Sequence, residues 1–226
     1  MPSARTRRRG SRSTPLDREV IVTAALQLSR VPEPGALSFR RLGQELGVDP
    51  TAVYRHFRDK DELVDAALDR LLQDVSTRLT AGLGWRGRLQ EAATLYMDAV
   101  ASHPGIGTEV AHRTTGGPGE ADAMELVLGS LAEAGLSGDG LIRHYALFST
   151  YVLSCAAALA AHRLHAGTEE SPDLGPWASP PARLDPAAYP QLTRLQGRIA
   201  ALTTREVTLT GLELVLDAVE RAAARP

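Results

Sequence analysis

From Leu16 onward the apolar residues of this chain recur at the spacing of an α-helix, and nowhere do they alternate as a half-buried strand requires. That property restricts the fold to packed helices. Leu16, Val20, Ala24 and Leu28 form a first stripe, the segment VPEPGA interrupts it, and Phe39, Leu42, Gly43 and Leu46 restore the i, i+3, i+4, i+7 pattern. The spacing then predicts a very short helix over 50–57 and a longer one over 60–79, with Leu63, Ala67, Leu68, Leu71, Leu72 and Val75 facing inward. Further helices are predicted over 86–103, 106–112, 120–134, 138–165, 188–202 and 205–224, with TTGGPGE and the proline-rich segment 166–187 as loops.

Most of the chemistry sits where the second and third helices meet. Gly47 after Leu46 suits a left-handed helix end, Asp49 can cap the next helix, and Pro50 suits its first position, where a missing N–H costs nothing. Only GVD separates the two, which is helix-turn-helix spacing. Val53 and Phe57, four apart, can pack inward with Leu42 and Leu46, leaving Thr51, Ala52, Arg55 and His56 outward. Such a face suits a DNA major groove, because arginine reads guanine, threonine and alanine meet a thymine methyl, and histidine bonds a base or phosphate. His56 reads equally as a surface histidine, and Tyr54 as a packing residue or a phosphate donor.

The next helix opens with RDKDELV, where Asp59 and Glu62 have capping-box spacing. A cation in its first turn opposes the helix dipole by ~0.3–1 kcal/mol, so Lys60 is not placed there for helix stability. Together with the free N–H groups it can hold a phosphate. Ser38, capping the preceding helix, and Arg40 and Arg41 behind it can grip the backbone from the other side, contacts that position rather than specify.

Charge is distributed to match. The 25 Lys+Arg and 27 Asp+Glu nearly cancel, yet residues 1–60 hold twelve basic against six acidic groups, and the remainder thirteen against twenty-one. The first quarter therefore favours a polyanion and the rest does not. Residues 1–15 are predicted to be a disordered basic arm, whose Arg5, Arg7, Arg8, Arg9 and Arg12 follow a minor groove or merely keep the terminus in solution. A single cysteine, Cys155, excludes an internal disulfide framework and a thiolate metal site, in keeping with a reducing cytoplasm. No signal-peptide pattern opens the chain. The most apolar stretch, 145–161, falls short of the ~20 residues that span a bilayer and reads as a buried helix of a soluble protein without a membrane partner.

The stretch LSFRRLGQELGVDPTAVYRHFRDKDELVDAALDRLL, with its Gly-Val turn, its Tyr54 and Phe57 pair and its Lys60 and Leu63, resembles the DNA-binding region of the TetR family of bacterial transcription regulators. LAEAGLSGDG and GLELVLDAVERA resemble, more weakly, the C-terminal domain of the tetracycline-repressor subset. The resemblance implies an all-α fold with an N-terminal three-helix helix-turn-helix domain over 16–60, a linking helix over 60–79, and a C-terminal helical ligand-binding and dimerisation domain over 80–226. It implies a repressor that binds a palindromic operator in double-stranded DNA through Ser38, Arg40, Pro50, Thr51, Ala52, Tyr54, Arg55, His56 and Lys60, and is released by a small-molecule inducer. It implies a homodimer whose four-helix seam is built from helices 138–165 and 205–224, with Tyr151, Cys155, Leu209, Leu212, Leu216 and Val219 on the apolar faces.

Aromatic and hydrogen-bonding groups on helices that should surround a cavity give the candidate ligand residues Trp85, Tyr96, His103, His112, Arg113, His144, Phe148 and Tyr151, of which about half are expected to line it. The helix over 60–79 is the expected lever, running from Lys60 through Gly82 and Gly84 to Trp85. The stretch EVAHRTTGG departs from the subset's magnesium-binding histidine and Gly-Thr-Arg-Pro turn, so no metal and no cofactor are assigned. Two alternatives stand beside this reading: an activator or ligand-independent DNA-binding regulator, and a helical enzyme using Cys155 with His144, His162 or His165. The second lacks paired carboxylates, a phosphate loop or a zinc motif.

Overall fold

A computed structural model describes residues 16–33, 35–166 and 185–224; the arginine-rich arm and most of the proline-rich loop lie outside them. Among the described residues the fold is entirely helical: α1 (Arg18–Ser29), α2 (Phe39–Leu46), α3 (Pro50–Tyr54), α4 (Lys60–Arg78), α5 (Trp85–Ala101), α6 (Pro104–Gly107), a single 3-10 turn (Val110–His112), α7 (Pro118–Glu133), α8 (Gly138–Ala166), α9 (Pro190–Ile199) and α10 (Thr204–Ala223).

Local chemistry sets the boundaries. Asp17, Ser38, Asp49, Asp59 and Thr203 each accept a backbone N–H of the helix they precede. Gly47 ends α2 in the left-handed conformation, φ 65°, and Val48 N–H bonds back to Gly43 O at 2.9 Å. Gly43 itself is needed for close approach, since a Cβ there would lie 2.8 Å from Val48 O. Three elements are shorter than the periodicity predicts, among them α9, Pro190–Ile199 against 188–202. Regular α3 stops at Tyr54, because the chain must turn through Arg58 into the Asp59 cap, and the predicted helix over 106–112 divides into α6 and the 3-10 turn.

Ile21, Leu42, Val53, Phe57 and Leu63 are fully buried and form the centre of the N-terminal helices, each contributing roughly 1.5–3 kcal/mol by burial. α4 packs on α1 at one side and on α5 and α7 at the other, so one helix belongs to both halves of a continuous core. α8 packs on α5, α6, α7 and α10.

Two expectations about α8 and α10 need correction. α8 is 29 residues long and passes the length and apolarity of a membrane-spanning helix, and only 28% of its most apolar window is buried within the chain. The 145–161 stretch is therefore not a short buried segment. The second correction concerns the seam residues. Leu212, Leu216 and Val219 of α10 are buried inside this chain, whereas Ile142 and Leu147 of α8 and Leu214 of α10 carry the exposed apolar surface.

Candidate functional site

In the helix-turn-helix, Val53 and Phe57 face the core with no exposure, while Thr51 and Arg55 are exposed and Ala52 and His56 are partly so. Pro50 is the first residue of α3, and the Asp49 carboxylate accepts from both the Thr51 N–H (2.8 Å) and its hydroxyl (2.7 Å), which holds that carboxyl below its usual pKa. Tyr54 packs its ring edge on Phe39, centroids 4.5 Å apart, and is still 59% exposed, so packing and an outward hydroxyl coexist.

Arginines near this face divide by whether their charge is engaged. Arg58 pairs with Asp59 at 2.8 Å, and Arg41 with Glu33 at 3.1 Å. Arg40, Arg55 and Lys60 are exposed and form no ion pair among the described residues. Ser38 spends its hydroxyl oxygen on the Arg41 N–H. Asp59 accepts from Glu62 N–H at 2.9 Å, but the reciprocal half of the capping box is displaced, with Glu62 accepting from Arg58 N–H at 2.8 Å and pairing with Arg18. Arg18, which no motif marks, also donates to His56 O and lies over the Phe57 ring at 4.1 Å, tying the end of α3 to α1 and α4.

Behind the reading head, α4, α5, α7 and α8 line a predominantly apolar, partly open cavity of about 140 Å³. Tyr96, Arg113 and Phe148 line it, and the other five candidates do not. Helical phase accounts for His144 and Tyr151, whereas Trp85, His103 and His112 lie at helix ends or in the 3-10 turn. Trp85 opens α5 beside Glu133, His112 is exposed, His144 donates from Nδ1 back to Gly140 O, and Tyr151 donates to Thr208 O across the close crossing at Gly211. His103 is buried outside the cavity, donating from Nδ1 to Ala99 O at 2.7 Å and accepting at Nε2 from Arg30 Nε at 3.4 Å. Burial, helped by the Arg30 charge, lowers its pKa despite the Ala99 bond and Asp74.

α4 walls the cavity with its own Leu68, Leu72 and Val75 and is fastened to the polar end twice. Arg113 donates to Asp61 at 2.7 Å and Asp65 at 3.0 Å on α4, and to Glu109 at 2.7 Å. Burial works against its charge, but Asp61, Glu109 and Asp65 outweigh that and hold its pKa above the ordinary arginine value. Asp69, 6% exposed, accepts from Thr115 Oγ1 (2.9 Å), Gly119 N–H (3.1 Å), Glu120 N–H (2.9 Å) and Gln73 (2.9 Å). A Cβ on Gly117 would lie 2.3 Å from the Asp69 carboxyl carbon, so the glycines of TTGGPGE, read from the sequence only as a loop, are the signal that could have marked this clamp.

The family profile described as bacterial regulatory proteins, tetR family, matches residues 21–67, and that described as tetracyclin repressor-like, C-terminal domain, matches residues 80–222. An HTH-type transcriptional repressor of Mycobacterium tuberculosis is 30% identical over 226 residues, covering 96% of this chain and 84% of that protein. The class C tetracycline repressor protein of Escherichia coli is 30% identical over 158 residues, covering 69% of this chain and 70% of its own length. Among solved structures, the TetR family protein ActR of Streptomyces coelicolor in complex with actinorhodin superposes with a TM-score of 0.72 at 26% identity, covering 93% of this chain and 98% of that one. These relatives are transcription regulators, which answers the enzyme alternative, and the chain belongs to the TetR family of bacterial transcriptional regulators.

Proposed function

We propose that this protein is a cytoplasmic repressor that binds a palindromic operator as a homodimer and is released by a small molecule entering the cavity. α3 would lie in the major groove with Thr51, Ala52, Arg55 and His56 toward the bases. Ser38, Arg40, Tyr54 and Lys60 would grip the flanking phosphates, and the Pro50 start would fix the angle of entry. The observation that carries the reading is the shared position of α4: its first residue is the unpaired Lys60, the next is Asp61 in the hand of Arg113, and Arg113 is a wall of the cavity. A ligand that displaces Arg113 acts on α4 within one turn of the DNA-facing lysine, and one that displaces residues 115–120 acts on the same helix at Asp69, about two and a half turns further on. This route is shorter than one through Gly82, Gly84 and Trp85. An inducer must bind the DNA-incompetent arrangement more tightly, and a differential of ~2–3 kcal/mol gives roughly 30–150-fold release.

Exposed apolar side chains on α8 and α10 support a seam between two copies, since their cover is absent within the chain. The solved neighbour in complex with actinorhodin supports a small-molecule ligand for this chain. No metal, cofactor or membrane enters this reading.

Operator titrations at several salt concentrations test the assignment of residues. Arg55→Ala should lose ~1–3 kcal/mol and relax preference at one base pair. Lys60→Ala should weaken all sequences alike and lower the salt slope by ~0.9 per half-site. Equal, salt-independent losses for the two variants would sink the division between reading and gripping.

A further inference from the structure

The polar end of the cavity is acidic, although an arginine stands in it. The Arg113 guanidinium is committed on three sides, through Nε to Glu109 at 2.7 Å, through Nη1 to Asp65 at 3.0 Å and through Nη2 to Asp61 at 2.7 Å. Glu120, which also lines the cavity, and Asp69 beside it add two more carboxylates. An anionic ligand would have to strip a partner from Arg113 and enter a field that is already negative.

Several groups on the lining keep unused hydrogen-bonding capacity, the Tyr145 and Ser149 hydroxyls among them, and two of these groups, Tyr96 and Glu120, lie close enough to influence one another. Tyr96 is 5% exposed and lines the cavity, and its hydroxyl makes no hydrogen bond among the described residues. Burial, with the Glu120 charge second, raises its pKa, so it stays a neutral phenol. Glu120 uses Oε2 for Gly116 N–H at 2.7 Å and Thr115 Oγ1 at 3.3 Å, while its Oε1 accepts nothing among the described residues. The Tyr96 hydroxyl opens onto the cavity rather than being sealed in the core, and a ligand group is a partner that a cavity-facing hydroxyl can acquire. The remaining walls are apolar, with Leu68, Val127, Phe148 and Val152 among them, and about 140 Å³ is close to what one six-membered ring occupies.

We propose that the cavity takes a compact hydrophobic amine, with one ring-sized apolar body among Leu68, Val127 and Phe148 and a protonated amino head between Glu120 Oε1 and the Tyr96 hydroxyl oxygen. An ammonium only donates, and both of these oxygens accept. This ligand class rests on reading the cavity as the inducer site, and it excludes carboxylates and phosphates as tight ligands.

Calorimetric titration of the full chain near pH 7 with 2-phenylethylamine, 2-phenylethanol and phenylacetate, three probes of nearly equal size, tests it. The amine should bind at least about tenfold tighter than the carboxylate, the scale of one charge-assisted hydrogen bond. Glu120→Gln, which keeps an acceptor for Gly116, should bring the amine to the level of the alcohol. Tyr96→Phe should weaken the amine while leaving the Tm of the unliganded chain unlowered, whereas a purely structural tyrosine would lower it. Phenylacetate binding as tightly as the amine, no heat from any probe, or a preference that survives Glu120→Gln would overturn the proposal. Adding the amine to the operator complex separates the two readings. Release supports the cavity as the inducer site, and an amine that binds under an intact complex upholds the ligand class while refuting that role.

Discussion

His103 shows how one side chain can couple the two halves of the molecule. It bridges Ala99 at the end of α5 and Arg30 at the end of α1, and it is neutral because Nε2 must accept from a guanidinium. Its folded pKa lies below the unfolded value, near 6.5, so the unfolded chain binds more protons in the window between them. Stability from this contact is therefore present above about pH 6.5 and is lost as pH falls through the lower folded value. Thermal unfolding at pH 7.5 and 5.5 should show an acid loss in the native chain that His103→Gln lacks; an identical loss in both would remove His103 from the account. Arg113 makes a related point. Its residue type marks a polar cavity wall correctly, but only its three carboxylate partners reveal that it is not free to meet an anion.

At the scale of elements, the starts of α2, α3 and α4 were legible because each is written in adjacent residues: Ser38, Asp49-Pro50 and Asp59 declare their caps locally. The faces of α8 and α10 were not legible, since both helices carry apolar residues on more than one side, and periodicity alone does not say which side the rest of the chain covers. The same limit explains much of the candidate ligand set: Tyr96 and Phe148 have the helical phase that reaches the cavity, and Arg113 reaches it from the extended segment after the 3-10 turn. Asp69 escaped notice because its partners, Thr115, Gly119 and Glu120, are distant in sequence. Asp69→Ala strands two backbone N–H groups at the start of α7 and should cost about 3 kcal/mol or more, read as a lower urea midpoint, with Asp69→Asn losing less. A midpoint unchanged by Asp69→Ala would mean that the clamp does not hold α4 to α7.

For the whole molecule, assembly and reading are one problem. Two copies joined through the exposed faces of α8 and α10 would set the distance between two α3 helices, and α4 in each copy would adjust it. Ile142 and Leu214 are each 61% exposed, an exposure of large apolar groups that a second copy relieves. Ile142→Glu combined with Leu214→Glu should yield monomers by sedimentation and weaken operator binding steeply, because each half-site is then bound alone; native chain that sediments as a monomer at micromolar concentration would refute the seam. The most direct measurement is selection of bound duplexes from a random library by the full chain. The expected result is an enriched inverted repeat whose half-sites are centred about one turn of DNA apart, ~34–36 Å, with preference at one position in each half-site lost in Arg55→Ala. No enrichment, or a single unrepeated half-site, would contradict it.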